Sequence, residues 1–386
     1  MSDSAPGYLD LGSSYLTGAG DSAPGYLDLG SRHGTPVSYW VIRDWTRHPI
    51  WPRTPRLGFA PKGTKPSGLV SVNPSSAVNM SSRGADSYVL KVPWSAIEPT
   101  PGNYNWTLID NALAAYGPWR MTLRIQAGDT APGWLKTASG GGVYCYNVAR
   151  QAEATVARWW TEAALSAWQA MITAAGARYD TDPRVALVSA DLVMVVYSEP
   201  FILGSDPPTG VRLYNAGCTL ETHTAAMRRS VADTCAAFPH TRVEFTITSR
   251  LQYPTPTGIG FSWPLGRALA LDLCQQHKHQ LVISDYGLGV PDTAAAHPIT
   301  GTLTTEPDVY AWMLLRSQTP IADGGGPVGY QLTPRGATTK PDYEAMAQNS
   351  LDLGGWYVET SGWGTLGDDF AFYDNAHKAQ AAAGGQ

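Results

Sequence analysis

The sequence predicts an α/β protein built as a (β/α)8 TIM barrel with an extended N-terminal arm, on three observations. Short apolar β-type runs alternate with helical stretches about eight times over the chain, the signature of that architecture. The runs read as continuous apolar segments, which suits a parallel sheet covered on both faces. No GxGxxG follows an early strand, which sets a doubly wound dinucleotide-binding sheet behind the barrel.

The arm takes residues 1–36 and the barrel residues 37–386 of the 386-residue chain. Within the arm the peptide DSAPGYLDLGS occupies residues 3–13 and recurs at 21–31. Two copies are too few for a solenoid. Gly, Ser, Pro and Asp surround a Tyr-Leu-x-Leu core, which fits a disordered tail or a pair of extended docking segments. Strand one is expected at Val37–Ile42 or Leu69–Val72. The next strands are expected at Tyr88–Pro93, Met121–Ile125, Val185–Tyr197, Val243–Thr248, Leu281–Ser284, Val328–Leu332 and Trp356–Glu359. Helices are expected at Gln151–Ala177, Leu220–Ala237, Leu265–His277, Pro307–Arg316 and Tyr343–Leu353.

In such a barrel functional residues gather where strands end. Those positions hold three candidate catalytic carboxylates, Glu199, Asp285 and Glu359. Candidate substrate-binding residues around them are Trp94, Arg124, Gln126, Tyr197, Tyr286, Gln331, Trp356 and Trp363. Cleavage of a glycosidic bond needs two carboxyl groups: one protonates the leaving oxygen, and the other attacks the anomeric carbon or activates water. Blander roles fit the same residues: a carboxylate closing strand four for Glu199, a turn or N-cap residue for Asp285, and an ion pair inside the barrel for Arg124. Glu98, in the turn after strand two, reads as structural.

Charged residues are 15% of the chain, against roughly a quarter in ordinary globular proteins, while Trp 14 and Tyr 19 outnumber Phe 7. Flat rings with a polar edge suit a sugar-facing cleft. The net charge of −5, without a basic stripe, excludes nucleic acid as a partner. No apolar run is long enough for membrane insertion. The first thirty residues hold no Lys or Arg and no apolar core, so a secretory signal is not expected. The four cysteines, Cys145, Cys218, Cys235 and Cys274, form no CxxC pair; neither a metal site nor a cofactor is expected. Cys235 and Cys274 sit in helical patterns as buried thiols. Cys145 and Cys218, in Gly-rich loops, fit either free thiols or a bridge. Motifs for a serine nucleophile, a phosphate loop or a zinc protease are absent.

The stretch KVPWSAIEPTPGNYNWTLIDNAL (Lys91–Leu113), with MTLRIQAGDTAPGWL (Met121–Leu135), resembles the second and third strand regions of clan A glycoside hydrolases. VVYSEP then resembles their strand-four motif, which implies Glu199 as general acid/base. Two positions depart from that pattern. Ser198 stands where the family has Asn, and Gln331 stands on strand seven where the nucleophilic Glu is expected. An amide cannot attack, so Asp285, in LVISDYGLG, and Glu359 are the available substitutes. In style, an N-terminal anchor before a hydrolase-like barrel is similar to minor tail proteins of phages infecting actinobacteria. That resemblance implies location in the virion, with an extracellular enzyme as the alternative. It also implies a glycan partner, other tail proteins bound through residues 1–31, and a homo-oligomeric or multi-copy assembly. Three classes remain open: an active glycosidase, a barrel that binds glycan without cleaving it, and a purely structural virion protein.

Overall fold

The computed structural model describes residues 59–61, 87–116, 120–147, 152–189, 192–193, 202, 206–247, 251–278, 280–288, 306–318, 325–332 and 339–360. Its strands are β1 (Phe59–Pro61), β2 (Ser87–Pro93), β3 (Arg120–Gln126), β4 (Val143–Asn147), β5 (Ala152–Val156), β6 (Val185–Ser189), β7 (Arg242–Thr246), β8 (Leu251–Thr255), β9 (Gly258–Ser262), β10 (Leu281–Leu288), β11 (Val328–Leu332) and β12 (Gly355–Thr360). Eight of them form one sheet in the order β1-β12-β11-β10-β7-β6-β3-β2, every pair parallel. Spatial neighbours are sequence neighbours, and β1 packs against β2 where the ends meet, so the sheet is a (β/α)8 barrel.

The helices are α1 (Trp94–Ile97), α2 (Thr107–Tyr116), α3 (Gly133–Ala138), α4 (Glu162–Tyr179), α5 (Pro207–Asn215), α6 (Leu220–Ala237), α7 (Trp263–Gln276), α8 (Glu306–Gln318) and α9 (Lys340–Asp352). Their starts follow capping chemistry. Thr161 accepts from the Ala164 amide to open α4, and Thr219 and Thr222 form a reciprocal capping box at α6. None of the described helices is long and apolar enough to cross a membrane.

Three expectations change. Strand one is Phe59–Pro61, three residues too short to show a period; Val37–Ile42 and Leu69–Val72 lie outside the described residues. The helix expected from Gln151 begins only at Glu162, because Ala152–Val156 pairs antiparallel with β4 as a hairpin. Strand four is Val185–Ser189 and does not run on to Tyr197; Leu192 and Val193 already lie in a turn.

Two cores follow from the strand pleat. Met121, Leu123 and Ile125 of β3 and Val243 and Phe245 of β7 join the cluster between sheet and helices. Val89, Leu187, Val282 and Tyr357 form a separate cluster inside the barrel. Contrary to a continuous apolar run, β3 and β7 therefore alternate: Thr122, Arg124 and Gln126, and Arg242, Glu244 and Thr246, take the opposite face. All four cysteines are buried free thiols; burial pushes Cys145 up to about 12.

One buried group makes the fold acid-sensitive. His223 of α6 is fully buried, and its Nδ1 accepts from the Trp159 indole N–H at 3.2 Å. Burial drives its pKa down from 6.5 to about 4. The ring is neutral when folded but takes a proton readily when unfolded, so its contribution is complete above pH 6.5 and is lost as pH falls toward 4. Denaturant titrations at stepped pH should show stability falling by on the order of 3 kcal/mol across that window from this group. Burial displaces His277 in the same direction. His223→Gln, which keeps an acceptor and takes no proton, should flatten the curve; an unchanged slope would assign the acid lability elsewhere.

Candidate functional site

Arg124 is the hub of the barrel interior. It sits on β3 with no exposed surface, and its side chain reaches three other strands. Its guanidinium lies 2.7 Å from Glu359 Oε2 of β12 and 3.2 Å from Glu244 Oε2 of β7, and donates to the Tyr357 hydroxyl at 2.8 Å. Tyr357 in turn donates to Glu359 Oε2 at 3.0 Å, and the Arg124 carbon stands 4.4 Å above the Tyr286 ring of β10. Strands three, five, six and eight meet in this way only through the lumen, so these side chains point inward.

The electrostatics follow from burial. Desolvation alone would lower the Arg124 pKa, but Glu359 first, then Tyr286, Tyr357 and Glu244, outweigh it and hold the guanidinium well above its usual value. Burial pushes the Tyr286 and Tyr357 phenols far up, so both remain neutral hydrogen-bonding groups. Both carboxylates are themselves fully buried. A planar fork serving two carboxylates and a phenol is geometry that lysine, a point charge, does not reproduce. The glycine of β11 makes room for it: a Cβ on Gly329 would collide with the Tyr357 ring and lie 2.8 Å from Ser284 Oγ.

The sequence candidates divide clearly. Arg124, Tyr286 and Glu359 come together. Gln331 is buried on the neighbouring strand, in register with Glu359. Gln126, two residues beyond Arg124 on the same face, ends β3 half-buried. Asp285 faces the helical layer, where its Oδ1 accepts from the Gly287 amide at 2.7 Å and the Tyr310 hydroxyl of α8 at 3.3 Å. It does not join the lumen because Ser284 and Tyr286, its neighbours in the pleat, take the inward positions. Trp94 likewise packs outward, edge-on to Trp168 of α4 at 5.5 Å, and donates to Glu98 Oε2 at 2.8 Å. Instead of lining a cleft it anchors the loop after strand two: Glu98 also accepts from the Gly102 amide, and its carbonyl accepts from Trp134. Trp356 lies at the N-terminal end of β12, its ring 5.3 Å from the Arg242 guanidinium at the start of β7, away from the mouth. Burial pulls Arg242 down to about 10. Glu199, Tyr197 and Trp363 lie outside the described residues.

Glu244 and Tyr357 are members of the site that sequence reading missed. The signal for Glu244 was an acid flanked by Val243 and Phe245 in a short strand, on the same alternate positions as Arg242 and Thr246. Tyr357 carried none beyond its place two residues before Glu359. Among the described residues no group of three or more His, Cys, Asp or Glu could hold a metal ion.

No protein-family model matches the chain, and no curated protein sequence matches it. Solved structures do resemble it. The catalytic domain of β-amylase from Paenibacillus polymyxa shares 10% identity over 84% of this chain and 97% of that one, with a TM-score of 0.51. Endo-glycoceramidase II from Rhodococcus sp., in a cellobiose-like imidazole complex, shares 14% over 81% and 75% at a TM-score of 0.49. The β-galactosidase from the psychrophilic Marinomonas ef1 shares 14% over 84% and 60% at 0.48. At such identities the first of these establishes likeness of fold, and the chain is a (β/α)8 barrel.

Proposed function

We propose that this chain is a glycan-binding barrel of glycoside hydrolase type that does not cleave its ligand, carried as a minor tail protein of a phage. The observation that carries the non-cleaving reading is the commitment of the two inner carboxylates among the described residues. Glu244 and Glu359 are fully buried and bound to Arg124, and Gln331 occupies the strand-seven position where an attacking carboxylate is expected. A glycosidase needs one ionised and one protonated carboxyl group within reach of the same sugar. The fold, shared with a β-amylase catalytic domain, and the aromatic composition favour sugar as the ligand. The duplicated peptide in residues 1–31 is the segment assigned to docking on other tail proteins, and several copies on one tip would multiply a weak affinity.

A second reading, hydrolysis, takes Glu359, which Arg124 and Tyr357 contact, as the nucleophile, with Glu199 as the proton donor. One experiment separates the two. The protein is incubated with soluble cell-envelope polysaccharides, and both retention on the polymer and release of reducing ends are measured. Retention without release is the expected result. Release that disappears in Glu199→Gln and Glu359→Gln would overturn the binding reading in favour of hydrolysis, and absence of both would refute glycan recognition.

A further inference from the structure

Three consecutive strand-to-helix connections carry extra structure, and they pack on one another. The connection after β3 contains the β4–β5 hairpin, that after β6 contains α5, and that after β7 contains the β8–β9 hairpin. Helix α5 lies against β4, β8 and β9 together. Thr209 of α5 accepts from the Tyr146 amide of β4 at 3.0 Å, and Gly210 lets the helix approach the Gly258 carbonyl so closely that a Cβ would overlap it. The result is a wall built from the C-terminal face of the barrel, its central helix beginning at Pro207, a few residues after Glu199.

The two exposed large hydrophobic residues among those described both stand on this wall: Tyr144 on β4 and Phe261 on β9, each 39% exposed. A lone exposed ring needs no explanation, but here each of the two hairpins that meet at α5 carries one. Tyr144 is also held in place. The Arg212 guanidinium of α5 stands 4.7 Å from its ring centroid, and its hydroxyl is hydrogen-bonded to Glu153 of β5. Half-buried Tyr253 lies over Gly260 across the second hairpin, where a Cβ would come within 2.6 Å of the ring. Exposed aromatic rings with polar and charged groups nearby match a sugar chain, whose C–H faces stack on rings while its hydroxyls hydrogen-bond.

We propose that this wall is a second glycan platform, binding the length of a long polysaccharide as it leaves the barrel mouth, so that the ligand of this protein is a polymer and not a small oligosaccharide. The proposal rests on the glycan-binding reading above, and the wall continues the mouth where that reading places its ligand. Because both rings lie outside the core clusters, their removal should leave the fold intact, at some cost in stability from the lost Arg212 and Glu153 contacts. Wild type and Tyr144→Ala/Phe261→Ala are compared for affinity to soluble α-glucan, β-glucan and arabinogalactan, and to the di- and trisaccharides of whichever polymer binds. The double variant is expected to bind that polymer about tenfold more weakly, with binding of the short sugars unchanged and the fold retained by circular dichroism. Undiminished polymer affinity would overturn the platform while leaving glycan recognition standing, and so would a change confined to self-association of the protein. Equal loss for polymer and short sugars would overturn it as a separate site. A wild type that binds none of the polymers, nor its host's envelope polysaccharide, would remove the underlying reading itself.

Discussion

Arg124→Met should destabilise the protein by about 3–5 kcal/mol, because it leaves Glu244 and Glu359 buried without their counter-charge. Urea unfolding followed by tryptophan fluorescence measures the loss. The control is the triple variant Arg124→Met, Glu244→Gln, Glu359→Gln, which removes all three charges together and should recover most of the stability. Arg124→Lys should fall between, since an ammonium keeps the charge but loses the fork that serves two carboxylates and Tyr357. A single Arg124→Met variant as stable as wild type would mean that the lumen network contributes nothing to folding, and Arg124 would then belong to ligand binding alone.

Trp94→Ala is expected to cost a similar amount, about 3–5 kcal/mol, by the different route of a cavity against Trp168. It also removes a donor from Glu98, whose pKa burial already raises. Trp94→Phe separates the two effects. It keeps most of the volume and loses the indole N–H, so about 1–3 kcal/mol should remain. The same variant tests placement. A ring packed between sheet and helices should not alter polysaccharide affinity, whereas a cleft-lining tryptophan would lower it sharply.

These two positions show what a pattern along the chain conveys. Trp94 and Arg124 both end or nearly end a strand, and from the chain alone both were candidates for the mouth. The pleat then sends Arg124 inward and the chain turns after Pro93 into α1, directing Trp94 onto the helices. Asp285 shows the same limit. Its motif placed it at the end of strand six, but side-chain direction depends on which residue of the pair faces the lumen, and Tyr286 does. Glu244 escaped notice because a five-residue strand is too short for its alternation to stand out from a simple apolar run.

The order of the barrel strands after the first and five of the helices were legible because hydrophobic period acts locally, whereas the β4–β5 and β8–β9 hairpins and the other four described helices were not. Alternation of strands with helices implied the barrel, and the Thr-led starts of α4 and α6 show the capping that opens a helix. The low charge and surplus of Trp and Tyr likewise belong to the chain itself. Tertiary structure alone decided which polar residues meet. Arg124, Glu244 and Glu359 come from strands far apart in sequence, and only barrel closure brings them within hydrogen-bonding distance. Tertiary pairing also made part of an expected helix into strand β5, since that segment pairs antiparallel with β4, which packs on α5.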